Sequence, residues 1–245
     1  MPWYSSVISA GAAIASDPYA VLFCCIGIAF LVLSSVLNIH ALLRGAHHDY
    51  AATMTYFGSF FLLMFVVPMA LVLVEGPRVG MYPWTLGLQI GDWKRGLTII
   101  AFATPIIVLS TVLGAKDPQL RAMYPFSKEA LQGPLKFVLY EAAYVLFYYL
   151  PWEFAFRGVV LFGLLAFLPV TIPGVAVAVM VQTFLSTIYH IGHPHSEVLG
   201  AFILGLASGV TAVVTGSIFY GLLFHAVVGV LNDYTGYRSL ARNRR

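Results

Sequence analysis

The sequence predicts an all-α protein, a polytopic transmembrane helical bundle with seven or eight spans, and two observations support this prediction. Of the 245 residues, 60% are hydrophobic and only 9% are charged, whereas a soluble domain carries about 25% charged residues. Runs of about 20 apolar residues also recur along almost the whole chain, and each is long enough to cross a bilayer as a helix. These runs lack the alternating ten-residue pattern of an outer-membrane barrel.

The individual apolar runs give the approximate position of each span. They lie at about 20–43, 52–74, 97–114, 135–168, 171–190, 198–215 and 217–231. The run 135–168 exceeds one crossing, so it holds either two spans or one long helix with Pro151 as a kink or break. The polar stretch 116–133 is too short for a second domain. We therefore expect a single integral membrane domain over residues 1–245.

The distribution of basic residues predicts how the bundle is oriented. With eight spans, both termini share a side with the connector 76–95, whose tryptophans suit the headgroup level. That side collects Arg78, Lys94, Arg95, Arg238, Arg242, Arg244 and Arg245, against Arg44, Lys116, Arg121 and Lys128 on the other. The excess predicts a cytoplasmic C-terminus, in what we expect to be a bacterial inner membrane. The net charge of +3 reflects these loop and tail residues, so no nucleic-acid partner is expected.

The stretch Pro151–Gly158 places two charged side chains inside an apolar run. Glu153 and Arg157 are four residues apart, so a helix puts them on one face in a favourable order for an ion pair. A charged residue at mid-bilayer costs about 2.5–3.5 kcal/mol unless it is paired or functional. One interpretation is a pair that only locks two helices together. The other is a carboxylate positioned for acid–base work away from bulk water.

Two further polar clusters follow in the C-terminal half. One runs from His190 to Glu197, and the other comprises His225, Asn232 and Asp233. On a helix Asn232 lies about 20° from the face of His225, and Asp233 about 80° from it. Each cluster alone could be structural, as a histidine bonded to a backbone carbonyl or a glutamate at a helix start. Three clusters on separate helices predict one convergent site.

Glu141 is expected to be a structural partner, because it points about 120° away from Glu153 on a continuous helix. The remaining groups support hydrolysis. A carboxylate and two histidines can take a proton from water and return it to a leaving amine. They could also hold zinc, which would lower the pKa of bound water. No motif supplies three ligands at an established zinc spacing, so the cofactor is either zinc or none, and activated water is favoured.

These residues resemble the CPBP family, which comprises CAAX proteases and bacteriocin-processing enzymes and is also called the Abi family. The resemblance covers about 135–233, which would hold the catalytic-type helices, and the connector 86–96 is also similar. Of the family motif Glu-Glu-x-x-x-Arg, the second Glu and the Arg fall on Glu153 and Arg157. The motif Phe-x-x-x-His ends on His190, and His-x-x-x-Asn starts on His225. The resemblance implies a helical intramembrane endopeptidase that activates water.

Three motif positions depart from the family pattern. Trp152 replaces the first glutamate, Ser186 replaces the phenylalanine and Gly229 replaces the asparagine. The chain would therefore be a divergent Trp-Glu-x-x-x-Arg branch in which Glu153 or Glu197 is the base, or a catalytically inactive relative. Three residues remain as candidates for contacting substrate or oxyanion, namely Trp152, Asn232 and Asp233.

The predicted function is hydrolysis of a peptide bond in a membrane-associated, lipidated or sorting-tail substrate by water that glutamate and histidine activate. The catalytic set is Glu153, Arg157, His190, Glu197 and His225. The expected partners are membrane lipids and a peptide or protein substrate at the membrane. The alternatives are an inactive membrane binding or immunity protein and a small proton-coupled transporter. A transporter usually carries paired repeats, which this sequence lacks.

Overall fold

The computed structural model describes residues 12, 16, 17, 49–168 and 171–243, with the side chains of 236–243 excepted. Six long helices carry this part of the chain: α1 Tyr50–Val79, α2 Trp93–Gly114, α3 Pro134–Phe167, α4 Ile172–Ile188, α5 His195–Thr215 and α6 Phe219–Asn243. The described residues contain no strand, so the all-α prediction is confirmed. The predicted span 20–43 lies outside the described residues.

Four of the helices, α1, α2, α3 and α5, are long and apolar enough to cross a membrane by length and composition. The apolar helix α4 is shorter, with 17 residues. Each predicted apolar run from residue 52 onwards thus coincides with a helix. The chain is an integral membrane protein, and the total of seven or eight spans stays a prediction.

The long run 135–168 forms one continuous helix, α3, so the one-helix alternative is the observed one. Pro151 has no N–H to donate, and its ring crowds the carbonyl of the preceding turn. Wider π-type turns at Val145–Tyr149 and Phe154–Phe162 flank the proline and keep the helix intact. Such turns are often found at functional sites.

An aromatic stripe on α3 packs this helix against α1. Its members recur at every fourth position: Tyr140, Tyr144, Tyr148, Trp152 and Phe156. Phe57 of α1 stacks on Tyr144 with ring centroids 4.8 Å apart, and Phe60 stacks on Tyr148 at 4.4 Å. Each such pair contributes about 0.5–1.5 kcal/mol beyond its area burial. The stripe therefore fixes the rotation of α3 and the face on which Glu153 lies.

The connector between α1 and α2 is fastened to the turn between α5 and α6. The Asp92 amide donates to the carbonyl of Thr215 at 2.7 Å, and the Ile218 amide donates to the carbonyl of Gly87 at 3.0 Å. Gly91 has φ +62°, a backbone conformation that residues with a side chain rarely adopt. It also lies against the Thr215 carbonyl, which leaves no space for a Cβ. These contacts hold α6, which packs along α2, α3 and α5, in a defined register.

Candidate active site

The Glu153 carboxylate lies between helices α3 and α6 and is fully buried. Its Oε1 is 3.1 Å from Nδ1 of His225, and its Oε2 is 3.3 Å from Nε of Arg157. A carboxylate accepts hydrogen bonds, so the proton of His225 resides on Nδ1. The second ring nitrogen, Nε2, is then free to act as an acceptor or base.

Glycines allow the neighbouring helices to approach these charges. A Cβ at Gly221 of α6 would lie 2.6 Å from Oε2 of Glu153, closer than Cβ atoms come to other heavy atoms in proteins. A Cβ at Gly205 of α5 would meet Oγ of Ser186 at 3.2 Å and Nη2 of Arg157 at 3.7 Å. The backbones of two neighbouring helices thus pack closely against the buried ion pair.

A second carboxylate–histidine pair lies at the start of α5. Nδ1 of His193 is 2.8 Å from Oε1 of Glu197, and the Tyr124 hydroxyl donates to the same oxygen. The other oxygen, Oε2, is buried and has no hydrogen-bond partner among the described residues. Burial raises the pKa of the Tyr124 phenol well above its ordinary value, and the Glu197 charge raises it further. Tyr124 therefore remains a hydroxyl donor at neutral pH.

The segment 115–133, which contains the polar stretch 116–133, closes this end of the site. It contains a short helix, Pro118–Met123, and a 3₁₀ turn, Lys128–Gln132. Ser196 of α5 donates to Oδ2 of Asp117 at 2.7 Å, which fastens the segment beside the second pair. Tyr124 and Phe126 of the same segment line a cavity that His190 and His225 also line.

A cavity of about 440 Å³ opens between α2, α3, α5 and α6. Its polar lining comprises Arg157, Ser186, His190, His193, Glu197 and His225, and its apolar part includes Ile106, Ile203, Leu204 and Val228. The structure thus brings together side chains from all three sequence clusters. Glu153 itself does not line the cavity, because it lies behind His225, and it reaches the cavity through that ring.

Trp152 lies between His190 and His225, the two cavity histidines that match the family motifs. Its ring centroid is 5.4 Å from that of His190 and 5.9 Å from that of His225, and both contacts are edge-to-face. His190 holds its Nδ1 3.2 Å from the Ser186 carbonyl, so Nδ1 donates there and Nε2 is left as an acceptor. At the position of the first glutamate of the motif Glu-Glu-x-x-x-Arg, this chain therefore has an indole, which packs between two imidazoles.

Asn232 and Asp233, which follow His225 in the third cluster, lie in different places in the structure. Asn232 lines the cavity, but Asp233 is fully buried elsewhere, beside Glu141 of α3 and near Lys128. One residue turns an α-helix by about 100°, which takes Asp233 off the face that His225 and Asn232 share. As an oxyanion contact Asp233 is therefore wrongly placed, and its geometry is that of a buried carboxyl pair.

Residues 134–231 match the family model described as type II CAAX prenyl endopeptidase Rce1-like. This segment is similar to that family and is termed the Rce1-like domain. The match spans α3, α4, α5 and the first half of α6, and so contains Glu153, Arg157, His190, Glu197 and His225. It covers less than half of the chain. No curated protein and no solved structure matches the chain. The match confirms the CPBP family resemblance and supports intramembrane endopeptidase activity as the general class of function.

A zinc centre would need several ligand side chains that lie together. Within 49–168 and 171–243, no three His, Cys, Asp or Glu side chains come together as a ligand group. Glu153 and Glu197 instead each bond one histidine. The donors described do not fit a zinc centre, and the steps proposed below run through side chains and water.

Three contributors to the site were not among the predicted catalytic and substrate-contacting residues, although His193 lies within the predicted cluster from His190 to Glu197. His193 bonds Glu197, Tyr124 supports the same carboxylate, and Tyr149 lines the cavity beside His225. A sequence signal existed for Tyr149, because it lies one helical turn before Glu153 in the Rce1-like domain. None existed for Tyr124, which reaches Glu197 from 73 residues away.

Proposed function

We propose that the chain is an intramembrane endopeptidase of the CAAX protease type. It hydrolyses a peptide bond of a membrane-associated, lipidated or sorting-tail substrate by water that glutamate and histidine activate. The observation that carries this proposal is the Glu153–His225 hydrogen bond, which joins α3 to α6 at the wall of the cavity within the Rce1-like domain.

In the proposed reaction, His225 is the general base. Its Nε2 takes a proton from water while the water oxygen bonds to the substrate carbonyl carbon, whose oxygen becomes the oxyanion. Glu153 holds the ring in the required tautomer and stabilises the imidazolium, as carboxylates do in hydrolase triads. The proton then passes to the amide nitrogen as the C–N bond breaks, which releases an amine and a carboxylic acid.

Arg157 positions the base without touching the reacting atoms of the water. Both charges of its pair with Glu153 are buried, with side-chain exposures of 2% and 0%. An unpaired charge at this depth would be strongly destabilising, so the guanidinium offsets the charge of the Glu153 carboxylate and fixes its position. His190 also lines the cavity, and we assign it to binding water and the leaving group. Glu197 has a supporting role, in which it holds His193 in the cavity lining.

The proposed substrate is a peptide that carries an apolar anchor. The cavity joins a polar end to an apolar part formed by α2, α5 and α6. Such a shape places an extended peptide against the histidines while its anchor stays among apolar side chains and lipid. Membrane lipids and the substrate are the proposed partners.

One observation favours a different function, that of a membrane binding or immunity protein without activity. Trp152 replaces a carboxylate with an indole between His190 and His225. If the base had to lie at that position, the Rce1-like domain would bind peptides and not cleave them. The assay below separates the two functions.

The test uses purified full-length protein in lipid nanodiscs and a quenched fluorescent CAAX peptide, with and without a farnesyl group. We expect cleavage of the farnesylated peptide by the wild type and none by His225→Ala. A parallel pull-down with Glu153→Gln in native membranes, read by mass spectrometry, searches for other substrates. Binding without turnover of either the peptide or a captured protein would establish the inactive alternative.

We further propose that the protein lies in a bacterial inner membrane with its C-terminus in the cytoplasm. The basic tail and connector support this orientation. A Ser239→Cys variant should be labelled by an impermeant maleimide only after the cells are opened. Labelling from outside intact cells would place the tail on the opposite face.

A further inference from the structure

The space beside Gly229, one turn after His225, is filled by a side chain of another helix. A Cβ at Gly229 would overlap the hydroxyl oxygen of Tyr149 and would lie 2.6 Å from its Cζ. A side chain at 229 and the tyrosine ring therefore exclude each other. The Tyr149 hydroxyl of α3 thus occupies the space that a side chain at position 229 of α6 would fill.

Tyr149 is held rigidly in this position. Its ring is 3% exposed and stacks on His225, with centroids 4.3 Å apart and planes 22° apart. A second ring, that of Tyr144, lies 4.3 Å away. Tyr149 nevertheless lines the cavity, as His225 does. A hydroxyl fixed by packing needs no reorganisation when charge develops beside it, which is the condition for strong electrostatic stabilisation.

We propose that Tyr149 is the oxyanion donor of this site, its hydroxyl donating to the carbonyl oxygen of the scissile bond as the tetrahedral intermediate forms. This inference rests on the proposed endopeptidase function. The O–H is a neutral donor, and a hydrogen bond from it to an oxyanion is about twice as strong as one to a neutral carbonyl. It thus stabilises the transition state more than the bound substrate.

The alternative donor is the Asn232 side chain, which also lines the cavity. Along α6, Gly229 is about 6 Å from His225 and Asn232 is about 10.5 Å from it, at about 1.5 Å rise per residue. The reacting carbonyl carbon must lie within about 3–3.5 Å of the attacking water, which itself bonds His225. The hydroxyl at the nearer position therefore suits the oxyanion, and Asn232 lies a turn too far along.

The experiment compares the affinities of two farnesylated CAAX peptides for protein in nanodiscs. In one peptide a phosphinate replaces the scissile amide and mimics the oxyanion. In the other a methylene-amine group replaces it and presents no oxygen. The wild type should prefer the phosphinate, and Tyr149→Phe should lose about ten- to hundredfold of that preference. Its affinity for the methylene-amine peptide should stay unchanged, because the ring and its stacking remain.

Two control variants define the specificity of this result. Tyr140→Phe removes another buried hydroxyl from α3, one that accepts from the Phe126 amide and lies outside the cavity lining. It should keep the full phosphinate preference. Asn232→Leu should keep it as well. If Tyr149→Phe kept the preference for the phosphinate peptide and Asn232→Leu lost it, Tyr149 would not be the oxyanion donor. Equal losses of this preference in Tyr140→Phe and Tyr149→Phe would also overturn that assignment.

The outcomes also separate this inference from the function on which it rests. If the wild type binds both peptides but never cleaves the parent amide, hydrolysis is refuted. In that case, a loss of the phosphinate preference in Tyr149→Phe would still support an oxyanion-binding site at Tyr149. A wild type that cleaves the parent amide but has no preference for phosphinate supports hydrolysis and refutes the donor. A wild type that binds neither peptide overturns both proposals.

Discussion

The two carboxylate–histidine pairs of this protein are built in opposite ways. Glu153 and His225 are 72 residues apart, meet across α3 and α6, and leave the carboxylate fully buried. His193 and Glu197 are four residues apart, within one turn at the start of α5, and their side chains are 16% and 13% exposed. The first pair exists only when the bundle is assembled, whereas the second needs one helix turn and the segment 115–133.

This difference decides which pair can control a reaction. A fully buried charge such as that of Glu153 orients an imidazole strongly, and removing one partner of such a pair costs about 3–5 kcal/mol. The Glu197 carboxylate is 13% exposed, so water screens its attraction to His193 more than it screens the attraction of Glu153 to His225. We therefore place the base at the Glu153–His225 pair and a supporting role at the His193–Glu197 pair.

The largest effect is expected when the base itself is removed. His225→Ala should lower kcat by about 10⁴-fold, the upper range for a general base. The matched control is His195→Ala, which removes an exposed histidine at the start of α5. That variant should retain wild-type turnover. Comparable losses in both, with normal abundance and melting, would contradict a special role for His225.

The sequence allowed the fold and the Glu153–Arg157 ion pair to be predicted, because both depend on rules that are local to a helix. Apolar runs define the helices, and the four-residue spacing places Glu153 beside Arg157. The continuity of α3 through Pro151 was left open, because the π-type turns that accommodate the proline depend on packing against α1.

The first pair can also be disturbed without changing either of its members. Gly221→Ala places a Cβ 2.6 Å from Oε2 of Glu153, so the carboxylate must move. A displacement of about 1 Å can cost about 10²-fold in rate, and we expect a loss of kcat of that size. Gly163→Ala in α3, where a Cβ meets nothing within 4 Å, is the control and should be fully active. Full activity in Gly221→Ala would contradict the tight enclosure of Glu153.

A smaller effect is expected when the second pair loses its support. Tyr124→Phe removes one of the two donors to Oε1 of Glu197, while His193 remains. The free energy of unfolding should fall by about 1 kcal/mol, the net value of one hydrogen bond. kcat should change less than tenfold. A loss as large as that of Gly221→Ala would mean that Glu197 participates in the chemistry.

The parts of the site that the sequence did not predict are the ones made by contacts between distant segments. Tyr124 reaches Glu197 from a loop, and Tyr149 fills the space beside Gly229 from a different helix. The separation of Asp233 from the cavity differs in origin, because helix periodicity alone turns Asp233 about 80° away from the face of His225. The contact of Tyr124 with Glu197 and that of Tyr149 with Gly229 depend on how distant segments pack, which residue spacing does not specify.

The most direct test measures kcat for Glu153→Gln and Glu197→Gln on the same farnesylated peptide, in parallel preparations checked for abundance and melting. A glutamine at 153 presents an N–H to Nδ1 of His225, so the ring proton moves to Nε2 and the base is lost. We predict a loss of about 10³-fold or more for Glu153→Gln and less than tenfold for Glu197→Gln. The reverse order would contradict the account, because it would make Glu197 the group that activates water.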